Sequence, residues 1–312
     1  MKMIKILFAA KPSDWLEYEK ELIRAFSNCN LKVKLTTDVN AYDVEYIIYS
    51  PSCDIRNFRK YPRLKAVMSL WAGVERIADN PTIDVPLCRM VDMELTDGMV
   101  EYVTGHVLRY HLGLDSHTHQ QDGVWRNQVV PPLARQRNIS ILGLGELGTA
   151  CAIALTNLKF NVCGWGRTKR MIHDVKCYHG VDGFVKALNH AEILVLLLPL
   201  TSGTSGIIDS VSLSNMPKGA MIINPGRGHL IEDVALIKSI NEGHIRHATL
   251  DVFREEPLPP DHFYWKSKNV TVTPHIASTT RVKSASESIV TNIKRGESGN
   301  SFLHAVDRDQ GY

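Results

Sequence analysis

Short apolar runs alternate with stretches of helical periodicity along almost the whole chain. Residues 2–10 form an apolar run of strand character, and between Trp15 and Phe26 the apolar positions recur at three and four, as on an amphipathic helix. Further strands are predicted at residues 32–36, 46–50, 64–70 and 85–91. Met99, Tyr102, Val103, His106, Val107 and Tyr110 then repeat at helical spacing, predicting one long helix over 94–112 that carries the chain from a first domain into a second. A loop rich in Gln and Pro follows at 120–137. Beyond it, Ile139, Ile141 and Leu142 open a new series of strands, continued at 161–165, 192–198, 220–223, 248–250 and 270–273. A last helix is predicted over 278–295, and the polar residues 296–312 are expected to pack only loosely. Strands alternating with helices predict an α/β fold built on parallel sheets.

With 312 residues the chain exceeds what one hydrophobic core comfortably serves, so two domains are expected. Their boundaries are placed at 1–97 plus 282–312 for the smaller domain and 98–281 for the larger. Composition changes little in this picture. A hydrophobic share of 44% with 22% charged residues is ordinary for a soluble globular protein. A net charge of +3 lacks the basic excess of a nucleic-acid binder, and no apolar stretch reaches the roughly 18 residues of a membrane span. The N-terminal apolar run resembles a signal peptide, but it is short and closely flanked by Lys5 and Lys11, so it reads as a first strand. The six cysteines are scattered without a CxxC pair, which predicts reduced thiols and a cytoplasmic location.

The first chemical signal is Gly143-Leu144-Gly145-Glu146-Leu147-Gly148. Gly143 permits a tight turn, Gly145 lets the backbone approach a pyrophosphate, and Gly148 allows close packing of helix on strand. The free amides and positive dipole of the helix start then hold the anion. A glycine pattern alone recurs in loops. Here an apolar strand precedes it, and Leu147, Ala150, Cys151, Ala154, Leu155 and Leu158 follow at helical spacing. In such units an acidic residue about 20 positions on bonds the ribose 2′-hydroxyl of NAD. Cys163 to Arg167 holds no carboxylate, the next acid is Asp174, and Arg167-Thr168-Lys169-Arg170 stands in its place. Guanidinium groups bind a 2′-phosphate in bidentate fashion, so NADP (NADPH) is expected and NAD is the less favoured cofactor.

Several other strands end in reactive or turn-forming residues. The run at 192–198 stops at Pro199-Leu200-Thr201, and 220–223 leads into Asn224-Pro225-Gly226-Arg227-Gly228. The strand at 248–250 ends at Asp251, ahead of Glu255-Glu256-Pro257, and 270–273 meets Pro274-His275. Parallel sheets bind ligands outside the carboxyl ends of their strands, so these residues are expected to meet in one crevice. Arg227 can anchor a carboxylate and polarise an adjacent carbonyl. Histidine's ordinary pKa of about 6.5 suits His275 as general acid, with Glu256 placed to stabilise the imidazolium. His117 and His119, with Asp115 or Asp122, match no standard metal-site spacing, and no metal is expected. Ser69-Leu70-Trp71-Ala72-Gly73-Val74-Glu75 offers small residues after a strand, either as amide donors to an anion or as a plain tight turn.

Taken together, GLGELG, LPLT at 198–201, NPGRG around Arg227, LDVFREEPLP at 250–259 and TPHIA at 273–277 resemble the D-isomer-specific 2-hydroxyacid dehydrogenase family in order and spacing. Overall length, Trp165 to Arg170 and the closing Val306-Asp307-Arg308 are similar to its glyoxylate/hydroxypyruvate reductase A subgroup. The resemblance implies a Rossmann-type doubly wound sheet with a smaller flavodoxin-like substrate domain. It implies Arg227, Glu256 and His275 as the catalytic set, Ala72 and Gly73 as amide donors to the substrate carboxylate, and Trp71 beside them. It adds Leu198 and Pro199 to the cofactor wall, Asp251 near the nicotinamide end, and a homodimer. The activity implied is NADPH-dependent reduction of small 2-oxo acids, with bulkier 2-oxo acids or a corepressor-like nucleotide sensor as alternatives. Two departures stand out. Trp71 occupies a place where many relatives carry a small residue, and Pro225-Gly226 replaces the usual small pair before the arginine.

Overall fold

The computed structural model describes residues 3–308 and 311. The chain divides into two compact units, Met1–Leu95 with Thr279–Tyr312, and Thr96–Ser278.

The first unit is a five-stranded parallel sheet. Its strands β1 (Ile4–Ala9), β2 (Val33–Thr36), β3 (Tyr46–Tyr49), β4 (Ala66–Ser69) and β5 (Leu87–Cys88) run in the order β2-β1-β3-β4-β5, the flavodoxin-like arrangement. Alternate residues of β1 serve opposite cores. Ile4, Ile6 and Phe8 pack with Leu22 and Phe26 of helix α1 (Pro12–Asn28), while Leu7 and Ala9 lie in the core that contains Phe58 and Ile77. Burial on both faces explains why the strand reads as a continuous apolar run rather than an alternating one.

The second unit carries helices α2 (Met93–Leu112, entering from the first unit), α3 (Leu114–His119), α4 (Glu146–Asn157), α5 (Gly180–His190), α6 (Ser210–Ser214) and α7 (Asp233–Asn241). Its strands are β6 (Asn138–Leu142), β7 (Asn161–Gly166), β8 (Lys176–His179), β9 (Ile193–Leu196), β10 (Ala220–Asn224), β11 (Ile245–Leu250) and β12 (Val270–Val272). All pair in parallel, in the order β12-β11-β10-β9-β6-β7-β8. This is the Rossmann order, and its direction reverses between β6 and β9. Ile139 and Ile141 pack with Cys151 and Leu155 of α4 and Val103 of α2; Leu142 and Leu196 face the opposite core with Leu188 and Leu236.

Three sequence expectations change. The described part of the tail after the last helix, α8 (Val282–Glu297), is tied down rather than loose, while residues 309, 310 and 312 of that expectation lie outside the described residues. Phe302 packs beside Tyr46, Val306 N–H donates to Leu87 C=O at 2.7 Å, and the Arg308 guanidinium donates to the carbonyls of Ala78, Asn80 and Ile83. Its polar groups serve the fold as hydrogen-bond donors, which a reading by hydrophobicity misses. Strand β8 was not expected, because four residues beginning with an exposed lysine on a sheet edge carry little apolar signal. Helix α8 begins at Val282 instead of 278, since the preceding residues close the loop after β12.

All six cysteines are free thiols. Among the described residues, no helix is long and apolar enough to cross a membrane.

Candidate active site

Because the seven strands of the second unit are parallel, the segments after β6, β9, β10, β11 and β12 leave the sheet at the same edge. Gly143, after β6, has φ 106°, a conformation L side chains rarely adopt, and a Cβ there would lie 2.5 Å from the Leu197 carbonyl oxygen. A Cβ on Gly148 would sit 1.7 Å from the Gly143 oxygen, so α4 can approach its strand only with glycine at this position. Gly145 differs: φ is −78° and no atom lies within 4 Å of where its Cβ would be. It is exposed, as is Glu146, while Leu147 is half-buried. No side chain caps α4, so its first amides are left to an external acceptor. Opposite the turn, Leu198 is buried and Pro199 half-buried, and the Pro199 carbonyl accepts a 2.6 Å bond from Thr204 Oγ1.

Strand β7 runs to Gly166 and delivers Arg167, Thr168, Lys169 and Arg170, all exposed, with no carboxylate at the strand end. Asp174 follows in a left-handed turn, paired at 3.0 Å with His173. Its side chain is two-thirds exposed.

The loop after β10 is fixed by close backbone approach. A Cβ on Gly226 would lie 2.8 Å from Leu196 O, and one on Gly228 only 2.0 Å from the Phe253 carbonyl carbon. Asn224 spans the loop, its Oδ1 accepting from Gly226 N–H at 3.1 Å and its Nδ2 donating to Arg227 C=O at 3.0 Å. Arg227 is half-buried, and its Nη1 donates to Gly226 C=O at 2.7 Å. Gly228 thereby presses the arginine loop onto the segment that carries Glu256. One Glu256 oxygen accepts from Phe253 N–H at 2.9 Å, and the other lies 2.8 Å from His275 Nδ1. A carboxylate only accepts, so Nδ1 carries a proton and Nε2 is the ring nitrogen left for chemistry. The side chains of His275 and Glu256 are 52% and 36% exposed, so the pair is open to a ligand rather than sealed in the core.

His275 itself has φ 55°. Its N–H donates to Asp251 C=O at 2.8 Å, and Asp251, fully buried, accepts from Thr273 Oγ1, Ile276 N–H and Ala277 N–H at 2.6, 2.9 and 2.9 Å. Asp251 was expected near the nicotinamide end of a cofactor; the contacts it makes here hold the histidine loop. Neither that bracing nor the part of Thr273 and Tyr102, whose hydroxyl is 2.7 Å from Thr273 Oγ1, is visible in sequence motifs. The parallel register of β11 and β12, pairing Leu250 with Val272, would have placed Asp251 beside Thr273.

In the first unit the turn after β4 is held by Ser69, whose Oγ donates to Trp71 C=O and accepts from Trp71 N–H at 2.9 and 3.0 Å. The Trp71 side chain is exposed, and Ala72 and Gly73 are half-buried. His117 and His119 are exposed on α3, whereas Asp115 and Asp122 are paired with Arg109 and Arg126 at 2.7 and 2.6 Å. Among the described residues, no cluster of three His, Cys, Asp or Glu side chains is placed to hold a metal.

Residues 107–277 match the family model of the D-isomer specific 2-hydroxyacid dehydrogenase, NAD binding domain. The chain is 37% identical over 259 residues to a glyoxylate/hydroxypyruvate reductase A of Serratia proteamaculans, covering 80% of this chain and 82% of that one. Among solved structures it is similar to a D-isomer specific 2-hydroxyacid dehydrogenase from Xanthobacter autotrophicus in complex with NADPH and MES. The TM-score is 0.91 at 34% identity over 99% of both chains. An NADPH-dependent glyoxylate/hydroxypyruvate reductase from Sinorhizobium meliloti, in complex with NADP and sulfate, superposes with a TM-score of 0.86 at 31% identity over the whole of both chains.

Proposed function

The chain belongs to the D-isomer specific 2-hydroxyacid dehydrogenase family, and we propose that it reduces small 2-oxo acids, glyoxylate and hydroxypyruvate among them, to 2-hydroxy acids with NADPH. The observation that carries this reading is the His275–Glu256 pair, held at 2.8 Å at the strand-end edge that also bears the glycine turn.

The second unit is the dinucleotide-binding domain and the first the substrate domain. The open space over Gly145 and the uncapped amides of α4 suit a pyrophosphate, with Gly143, Glu146, Leu147 and Gly148 forming the turn and Leu198 and Pro199 the wall. Arg167, Thr168 and Lys169 suit the 2′-phosphate, as two cations and a hydroxyl at a strand end that lacks the acid of an NAD site. The reduced cofactor supplies the hydride when bound. Arg227 anchors the substrate carboxylate and polarises the carbonyl. His275 delivers a proton from Nε2 to the carbonyl oxygen, and Glu256 stabilises the imidazolium through Nδ1. The Ala72 and Gly73 amides bind the carboxylate, and the exposed Trp71 indole shapes which 2-oxo acid fits.

A homodimer in the cytoplasm completes the proposal. The reduced thiols suit that compartment, and the exposed apolar side chains of Leu114, Val124, Trp125, Val129 and Val130 suit burial against a second copy.

A positioned general acid contributes about 10²–10⁴ in rate, so His275→Ala should lower kcat by that factor. Near-normal turnover in that variant would remove the assignment. NADPH and NADH oxidation followed with glyoxylate, hydroxypyruvate, pyruvate and phenylpyruvate tests cofactor and substrate together. Strong preference for NADH would refute the part given to Arg167, Thr168 and Lys169, and no oxidation with any of the four would favour a nucleotide-sensing protein.

A further inference from the structure

His275 presents a conformational problem. Its φ of 55° lies in the left-handed region, which is unfavourable for a residue that carries a Cβ. The restraint comes from Asp251. The His275 N–H donates to the Asp251 carbonyl at 2.8 Å, and the next two amides, Ile276 and Ala277, donate to the two carboxylate oxygens at 2.9 Å each. The Thr273 hydroxyl donates to the same carboxylate at 2.6 Å. Asp251 is fully buried, so these donors replace the water it has lost.

The proton count fixes the next link. An ionised carboxylate accepts only, so the Thr273 hydroxyl proton is committed to Asp251. Thr273 Oγ1 then offers only lone pairs to its other neighbour, the Tyr102 hydroxyl at 2.7 Å, which must be the donor. The chain is directed: Tyr102 O–H to Thr273, Thr273 O–H to Asp251, with the amides of Ile276 and Ala277 donating to the same carboxylate. Helix α2, which bears Tyr102, is pressed onto the same loop. A Cβ on Gly98 would lie 2.7 Å from Ser278 Oγ, and Ala277 lies in one core with Met99 and Val103. Burial raises the Tyr102 pKa well above the ordinary tyrosine value, so the donor keeps its proton at working pH.

We propose that Tyr102 is a positioning residue of the reaction: through Thr273 and Asp251 it holds the left-handed turn that aims His275, touching neither substrate nor cofactor. This rests on His275 being the proton donor.

The test is a double-mutant cycle of Tyr102→Phe and Thr273→Val, read as kcat and KM with glyoxylate and NADPH. Loss of one buried hydrogen bond should lower kcat about 3- to 10-fold in Tyr102→Phe. Both KM values should stay within about twofold, because no ligand contact is removed. In the Thr273→Val background the tyrosine change should have no further effect on kcat, since Tyr102 acts only through that hydroxyl. Should Thr273→Val fold poorly, Thr273→Ser retains the hydroxyl and must retain the sensitivity to Tyr102→Phe. Unchanged kcat in Tyr102→Phe, or effects that multiply across the cycle, would overturn the proposal. His275→Asn separates the two levels. If it remains active the proton-donor reading fails; if it is inactive while Tyr102→Phe is fully active, only the positioning chain fails.

Discussion

Two strand-end turns of the second unit place a residue in the left-handed region by opposite means. After β6 the residue is Gly143, with φ 106°; after β12 it is His275, with φ 55°. At Gly143 the conformation costs little because no Cβ exists to collide with Leu197. At His275 the side chain is indispensable to the proposed chemistry, so the same backbone state is held by a buried carboxylate and a threonine–tyrosine chain. Where the backbone itself meets the ligand, removing atoms suffices. Where a side chain must be presented, the cost moves into a network several residues deep. The glycine turn is therefore self-contained, and the histidine turn depends on α2 and β11.

The most damaging change should be Gly148→Ala. Its Cβ would stand 1.7 Å from the Gly143 oxygen, backbone that cannot give way without moving the turn. About 3–5 kcal/mol of stability should be lost in urea unfolding, together with NADPH binding. A stable variant that still binds NADPH would contradict the steric account. Asp251→Asn should cost about 2–3 kcal/mol, because the amide nitrogen must face a donor that the carboxylate now accepts. kcat should fall more than tenfold while the Kd for NADPH, followed by nucleotide fluorescence, changes little. If NADPH binding weakens in proportion, Asp251 serves the cofactor directly and the contrast between the turns is lost. Gly145→Ala is the complement. With φ −78° and nothing within 4 Å, alanine is tolerated by the fold, so stability should hold within about 0.5 kcal/mol. The Kd for NADPH should rise about 10- to 100-fold, as the methyl occupies the space proposed for the pyrophosphate.

This contrast also explains what could be read from the chain alone. Gly143, Gly145 and Gly148 announce the turn because sterics act on residue type at fixed spacing. Strands such as β1 and β9 announce themselves because both faces are buried. Arg227, Glu256 and His275 were legible as reactive residues at strand ends. Their support was not: Asp251 and Tyr102 are far apart in sequence and meet only through a β11–β12 register that no local pattern states. The tail escapes a reading by hydrophobicity for a similar reason, since Arg308 stabilises the fold by donating to the carbonyls of Ala78, Asn80 and Ile83.

A smaller effect isolates backbone strain from chemistry. His275→Gly and His275→Ala should both lose about 10²–10⁴ in kcat, yet the glycine variant should be more stable by about 1 kcal/mol, because it enters φ 55° freely. Urea midpoints at constant m-value read this difference. Equal stability would mean that the Asp251 cage relaxes once the imidazole is gone.

The smallest expected effect concerns acid. The seam between α2 and strands β11 and β12 half-buries His247, whose pKa falls to about 4, from the ordinary 6.5, through desolvation first and then the charge of Arg109. His106 is lowered in the same way, while Asp115 opposes the shift at both. As pH falls from 6.5 toward 4, the unfolded chain takes up the His247 proton before the folded one does, so stability declines across that window and is complete above it. The full shift would amount to about 3 kcal/mol, and partial exposure reduces this to about 1 kcal/mol. His247→Gln should therefore lose about 1–3 °C less Tm than the parent between pH 7.5 and pH 5. An identical decline in both would place the acid sensitivity elsewhere. The seam is the one that braces the His275 loop through Tyr102 and Thr273, so native protein brought toward pH 4, where folded His247 itself gains its charge, should lose kcat before it loses affinity for NADPH. The reverse order would mean that the glycine turn, not the histidine turn, is the acid-sensitive half of the site.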